Sequence, residues 1–164
     1  MATVIVYATK TGSTEKAAKM LSERLDNCDT VNISEQSFDL AKYDTVIIGS
    51  YIRMGTVDRN ISRLMLSYIS VLVEKKTAFF ICNCFEKNAQ DYISHNVPPQ
   101  LLEKMIVTDT FGGELDLKKL GGFDRIMANK VIKADREKGI YRRFSLESEN
   151  IEKFAEKVKE NYNV

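Results

Sequence analysis

Residues 3–14 read TVIVYATKTGST, and the fold turns on the change of character at residue 9. Val4, Ile5 and Val6 form a β-branched run, the composition of a strand buried on both faces. After Thr9, Lys10, Thr11, Gly12, Ser13 and Thr14, the residues Ala17, Met20, Leu21 and Leu25 fall on one helical face. A strand handed to a helix through six residues, none of them large and apolar, is the first half of a βα unit. The first turn of such a helix carries free backbone N–H groups and the positive end of the helix dipole. Four hydroxyls stand within those six residues, and Gly12 lets the backbone approach closely, so the stretch suits a phosphate. Ser13 would also serve as an ordinary helix cap, which accounts for one hydroxyl and not four.

Outward from this unit the same rhythm repeats. Strands are predicted at 3–8, 30–33, 45–50, 77–83 and 105–111, and helices at 13–26, 58–74, 88–96 with a further turn after Pro98 and Pro99, and 148–161. Five strands alternating with helices predict an α/β sandwich of three layers around a parallel sheet. At 164 residues, with no internal repeat and no low-complexity linker, the chain is expected to form one domain, residues 1–164. The GxxxxGK[ST] and GxGxxG patterns are absent, which excludes a Walker loop and a dinucleotide fingerprint. A receiver domain would need acidic residues after the first strand, where this chain has TKTGST.

Residues 114–143 break the rhythm. Nine basic side chains (Lys118, Lys119, Arg125, Lys130, Lys133, Arg136, Lys138, Arg142, Arg143) face five acidic ones (Glu114, Asp116, Asp124, Asp135, Glu137). Phe123, Ile126, Met127 and Val131 recur at helical spacing among them, which predicts a short amphipathic helix. A βα connection usually takes about 2–6 residues, so a segment this long reads as a cap or contact surface, with a solvated decoration as the alternative.

Composition narrows the class. Twenty-four basic residues balance 23 acidic ones, which leaves no electrostatic footprint for nucleic acid. No apolar run reaches the ~20 residues that span a bilayer, and the N-terminus lacks the basic region of a secretory signal, so a cytoplasmic location is expected. Cys28, Cys82 and Cys84 make neither an even disulfide set nor a CxxC, and His95 stands alone, so no metal is expected. Cys82 and Cys84 share one face of a strand, either as small core residues or as a thiol near a ligand.

The loop TKTGST resembles the phosphate-binding loop of the flavodoxin family, TxTG followed by Ser or Asn and Thr, at Thr9, Thr11, Gly12, Ser13 and Thr14. Within that superfamily, GSYIRMG at 49–55 and FDRIMANKVIK at 123–133 resemble the flavodoxin-like, menaquinone-linked protoporphyrinogen dehydrogenases. The resemblance implies a flavodoxin-like fold, a five-stranded parallel sheet of order 21345 with a helical insert after strand five. It also implies non-covalent FMN at the carboxyl ends of the strands.

Carried over position by position, the resemblance implies that Thr9, Lys10, Thr11, Gly12, Ser13 and Thr14 hold the phosphate. Ser50, Tyr51, Ile52, Arg53, Met54 and Gly55 would flank one ring face, with Gly55 as the peptide nearest flavin N5. Asn83, Cys84 and Phe85 would approach the ribityl chain and the other face, and Phe111, Gly112 and Gly113 would close that side. Flavodoxins usually stack the ring between Trp or Tyr side chains; this chain has no Trp, which leaves Tyr51, Met54 and Phe85.

Arg53 bears on the chemistry. A unit charge ~8 Å from the ring contributes about 2 kcal/mol at an effective dielectric of ~20, before salt screening, in favour of the anionic reduced state. Two functions follow from the resemblance: an electron carrier that docks on a redox partner protein, or an oxidoreductase whose insert presents a planar small molecule, a quinone or a tetrapyrrole. A third keeps the fold without the flavin, as an interaction module whose basic segment touches an anionic membrane peripherally or a partner.

Overall fold

A computed structural model describes residues 1–85 and 89–163. Five strands run parallel: β1 (Thr3–Ala8), β2 (Cys28–Asn32), β3 (Thr45–Arg53), β5 (Lys76–Cys82) and β6 (Met105–Thr110), in the order β2-β1-β3-β5-β6. A sixth, β4 (Thr56–Val57), pairs antiparallel with the end of β3. The five parallel strands therefore take the order 21345, and the short antiparallel strand is an addition that the sequence pattern did not reveal.

Alternation along the strands divides the core in two, because successive side chains leave opposite faces. Ile5, Tyr7, Ile47 and Phe80 meet Ala17, Ala18 and Leu21 of α1 (Ser13–Ser22) and Ile151, Phe154, Ala155 and Val158 of α7 (Ser148–Glu160). On the other face Val4, Val6, Val46, Ile48, Phe79 and Ile81 meet α2 (Arg59–Ser67), α3 (Ile69–Leu72), α4 (Ala89–Asn96) and α5 (Pro99–Leu102). Helix α6 (Gly122–Glu137) lies in the insert. No helix among the described residues is long and apolar enough to cross a membrane.

Several boundaries move for local reasons. Helix α1 stops at Ser22 instead of continuing to residue 26: the Ser22 hydroxyl bonds the Lys19 carbonyl, Arg24 caps the Met20 carbonyl, and Asn27 takes a φ of 49°. The expected helix at 58–74 is two, parted at Tyr68, whose φ of −114° and ψ of 19° leave the helical basin. Asp58 caps the first of them by accepting from the Asn60 N–H at 2.8 Å. Strand β2 starts at Cys28, two residues before the expected position, opposite Thr3. The expected start of the helix before Pro98, Asn88, lies outside the described residues.

Strand β3 runs on to Arg53 because its end folds back through a two-residue turn. Met54 and Gly55 have φ of 52° and 78°, so both central residues are left-handed, the turn geometry that matches strand twist in a tight hairpin.

Phe111 and Gly112 are placed differently from the expectation that they border a ligand. Phe111 is fully buried, stacked on Phe80 with centroids 4.5 Å apart and edge-on to Phe154 at 5.1 Å. Gly112 forms the bridge to Leu146, and its left-handed φ of 66° sets a Cβ 2.7 Å from the Ser145 carbonyl oxygen. Phe111 turns inward because it continues the alternation of Val107 along β6, and Gly112 is placed by its bridge to Leu146.

Gly49 sits beside Phe80 in the ladder, and a Cβ there would lie 2.2 Å from the Phe80 ring. Gly49→Ala is expected to destabilise the chain by about 1–3 kcal/mol through overpacking. Phe111→Ala is expected to cost about 3–5 kcal/mol through the cavity it leaves. Urea unfolding followed by circular dichroism measures both, and a wild-type midpoint for Phe111→Ala would contradict its core position.

Candidate functional site

The carboxyl ends of β1, β3 and β5 leave the sheet at one edge, and the loops that follow line a cavity of about 250 Å³. The first loop contributes Thr9, Lys10, Thr11, Ser13 and Thr14. Gly12 is the N-cap of α1 with a φ of 93°, and its N–H donates to Thr9 Oγ1 at 3.0 Å, which curls the loop. No side chain among the described residues caps the helix, which leaves its first turn open to another partner for its N–H groups. Ser13 is therefore not the cap; its Oγ accepts from the Glu114 N–H at 3.0 Å and ties the helix start to the insert. Thr14 is buried and lines the cavity with its hydroxyl toward the Cys82 thiol.

The second loop lines the cavity through Tyr51, Ile52, Arg53 and Met54. Ser50 and Gly55 stand behind them. The buried Ser50 hydroxyl donates to the Tyr51 carbonyl and accepts from the Asp58 N–H, each at 2.9 Å. Asn96 on α4 holds the hairpin with both ends of its amide: Nδ2 donates to the Gly55 carbonyl at 2.9 Å, and Oδ1 accepts from the Val57 N–H at 3.0 Å. The Tyr51 hydroxyl donates to Asp58 at 2.8 Å, and burial first, then that carboxylate, push its pKa up to about 12. Tyr51 is thus a neutral phenol at any physiological pH.

The third loop brings Cys82, Asn83, Cys84 and Phe85 to the cavity. Asn83 Oδ1 accepts from the Thr110 hydroxyl at 2.6 Å, while Nδ2 is buried without a partner among the described residues. Burial pushes the Cys82 thiol up to about 12 and the Cys84 thiol to about 11, so both are protonated, unreactive sulfurs near neutral pH. Gly113 is needed here for space: a Cβ would sit 2.9 Å from Cys84 Sγ.

The insert builds the remaining wall, which position-by-position reasoning missed. Leu115, Leu120, Phe123, Met127, Ala128 and Val131 line the cavity, and the helical spacing of Phe123, Met127 and Val131 was the signal for it. Ile126, on the same predicted stripe, does not line the cavity and is 57% exposed. Asp124 accepts from Arg53 Nη2 at 3.0 Å and Nε at 3.1 Å, and binds Lys10 Nζ as well. Arg53 first and Lys10 second hold its carboxyl below the usual carboxylate range. Arg53 therefore does not face the cavity as a free cation, and its expected pull on a bound ring is partly cancelled. Further along, Arg142 pairs with Asp135 and donates to the Phe85 carbonyl at 3.1 Å, and Phe144 packs edge-on against Phe85 at 5.3 Å.

Comparisons with known proteins agree with this architecture. No curated protein matches the chain. Among solved structures, oxidised flavodoxin 1 from Bacillus cereus superposes with a TM-score of 0.57 at 14% identity, covering 98% of this chain and 99% of that one. A flavodoxin from the domain Archaea gives a TM-score of 0.55 at 13% identity, over 97% of this chain and 99% of that one. A flavoprotein in complex with FMN from Lactobacillus acidophilus gives 0.50 at 13% identity, over 66% of this chain and 92% of that one. At these identities the likeness is one of fold. The family model of the flavodoxin domain matches residues 4–139, most of the sheet and all three loops, and the chain belongs to that family.

Proposed function

We propose that the chain binds FMN non-covalently in this cavity and acts as a redox protein through it. One observation carries the reading: Asn83 Nδ2 is buried without a hydrogen-bond partner among the described residues, in the wall of the same cavity that the first turn of α1 lines. An unsatisfied buried polar group costs about 1–3 kcal/mol, a cost a site tolerates when a ligand supplies the missing partner. The residues fit such a guest. Polar donors gather at the α1 end, and Ile52, Met54, Phe85, Leu115 and Phe123 give apolar walls elsewhere.

In this reading Thr9, Lys10, Thr11, Gly12, Ser13 and Thr14 bind the phosphate through hydroxyls and free N–H groups. Tyr51, Ile52, Met54, Cys84 and Phe85 enclose the ring, and Gly113 keeps the third loop close. FMN bound there supplies reversible electron transfer in one- or two-electron steps; the chain's own groups bind, orient and exclude water. Ser50, Gly55, Phe111 and Gly112 act behind these walls, shaping the loops.

The finer reading is an oxidoreductase of the protoporphyrinogen dehydrogenase type, acting on a quinone or a tetrapyrrole. It is favoured by an apolar lip at the cavity: Met54, Phe123 and Met127 line it and remain 77%, 59% and 44% exposed. Such a lip suits a flat apolar molecule, and it equally suits the apolar centre of a redox partner protein.

Titration of the purified chain with FMN is expected to quench flavin fluorescence at one site per chain. Thr14→Val is expected to weaken that binding roughly tenfold, the effect of one lost bond to a charged group. FMN that stays fluorescent with the wild-type chain would end the proposal. Replacing Phe123 and Met127 together by Ser is expected to weaken FMN binding only a fewfold and, in the FMN-saturated chain reduced beforehand with dithionite, to slow reoxidation by a water-soluble quinone roughly tenfold or more, the loss of two apolar contacts to the quinone. An unchanged quinone rate would turn the search to protein partners.

A further inference from the structure

We propose that Asp124 is the positioning residue that fastens α6 across the cavity, by holding Lys10 of the first loop and Arg53 of the second at once. The inference rests on the FMN reading for the identity of the guest and stands apart from it for the fastening itself.

Helix α6 has little else to hold its N-terminal half. Of its 16 residues only Ala128 is buried, and Phe123, Ile126 and Met127 are all substantially exposed. A helix of this length is marginal in water on its own, and most helical stability comes from packing an apolar face. Here that packing is thin, so polar contacts decide where the helix lies.

Asp124 supplies them. Its side chain is 18% exposed, against 38% for Lys10 and 47% for Arg53, and it receives the Arg53 guanidinium through two nitrogens while also binding Lys10. An isolated surface ion pair contributes little, but networks with forked guanidinium geometry are the exception. Asp124 also lies in the first turn of α6, where the helix dipole favours a negative charge. One carboxylate thus links three chain segments that are far apart in sequence.

Two glycines stand at the start of the helix. Gly121 is its N-cap and Gly122 its first residue, neither has a positive φ, and a Cβ on either would meet nothing within 4 Å. Neither packing nor a left-handed backbone requires glycine there, so what these two residues contribute is loose φ and ψ. The return segment is anchored by Arg142 on Asp135 and on the Phe85 carbonyl. The insert is therefore fixed at its far end and latched at its near end, over the residues that line the cavity.

Amide hydrogen exchange of the full chain, without and with FMN, tests the latch in wild type, Asp124→Asn and Asp124→Glu. Asp124→Asn is expected to speed exchange roughly fivefold, the equivalent of ~1 kcal/mol, in α6 and in residues 9–13 and 53–57 together. Strands β1, β3 up to residue 50 and β5 are expected to stay protected, and Asp124→Glu to restore most of the protection. Release of FMN into an excess of a competing flavin-binding apoprotein is expected to quicken by a similar factor in Asp124→Asn. Raised salt is expected to quicken release in wild type and to change Asp124→Asn little. Unchanged exchange in either loop, or a uniform rise across the sheet, overturns the proposal. If the wild-type chain holds no FMN, the functional reading fails, and the exchange measured without flavin still decides the latch.

Discussion

The whole arrangement depends on the parallel pairing of β1, β3 and β5. In a parallel ladder neighbouring strands run in the same direction, so every strand delivers its carboxyl end to the same edge. Thr9, Arg53 and Asn83 come from three distant parts of the chain, yet the registers Ala8↔Ser50 and Ser50↔Ile81 set them side by side. The central strands also need both faces covered, which Val4, Ile5, Val6, Ile47 and Ile48 accomplish against two layers of helix. With the backbone satisfied inside the sheet, the polar groups left to recognise a guest are those at that edge.

At the edge, charge is arranged by the insert and not by the sheet. Lys10 and Arg53 belong to the two loops of the common fold, and their joint positive field would act on any guest between them. Asp124 reduces that field without removing it, since one carboxylate stands against two cations. The balance differs from both a bare cationic site and an acidic one. It leaves apolar side chains, the N-terminus of α1 and the buried Asn83 amide facing the cavity.

The sequence disclosed what is local. The strand, loop and helix of residues 3–22 are written in adjacent residues, so periodicity and the run TKTGST were enough to place them. The 21345 order and the FMN expectation came with the resemblance those residues carry. The hairpin at Met54 and Gly55 was hidden because Met-Gly lacks the Asn-Gly or Asp-Gly signature, although it takes the same left-handed turn. Phe111 read as a cavity wall because an aromatic after a strand looks the same whether it faces a ligand or the core, and only the rings of Phe80 and Phe154 decide it. Asp124 was one acid among many in a basic segment. Its partners lie 71 and 114 residues away, and no local pattern announces a pairing at that distance.

The anchoring of residues 114–146 has a consequence for how such a segment could be inherited or transplanted. It touches the rest of the fold through Ser13 and Lys16 near its start, Lys10 and Arg53 in the middle, and Phe85 and Gly112 at its return. Those docking residues lie at or just beside the carboxyl ends of β1, β3, β5 and β6. A chimera that received the insert alone would gain a basic, half-apolar tether with nowhere to fasten. The segment and the residues that receive it therefore form one structural unit, and transplanting it calls for moving both.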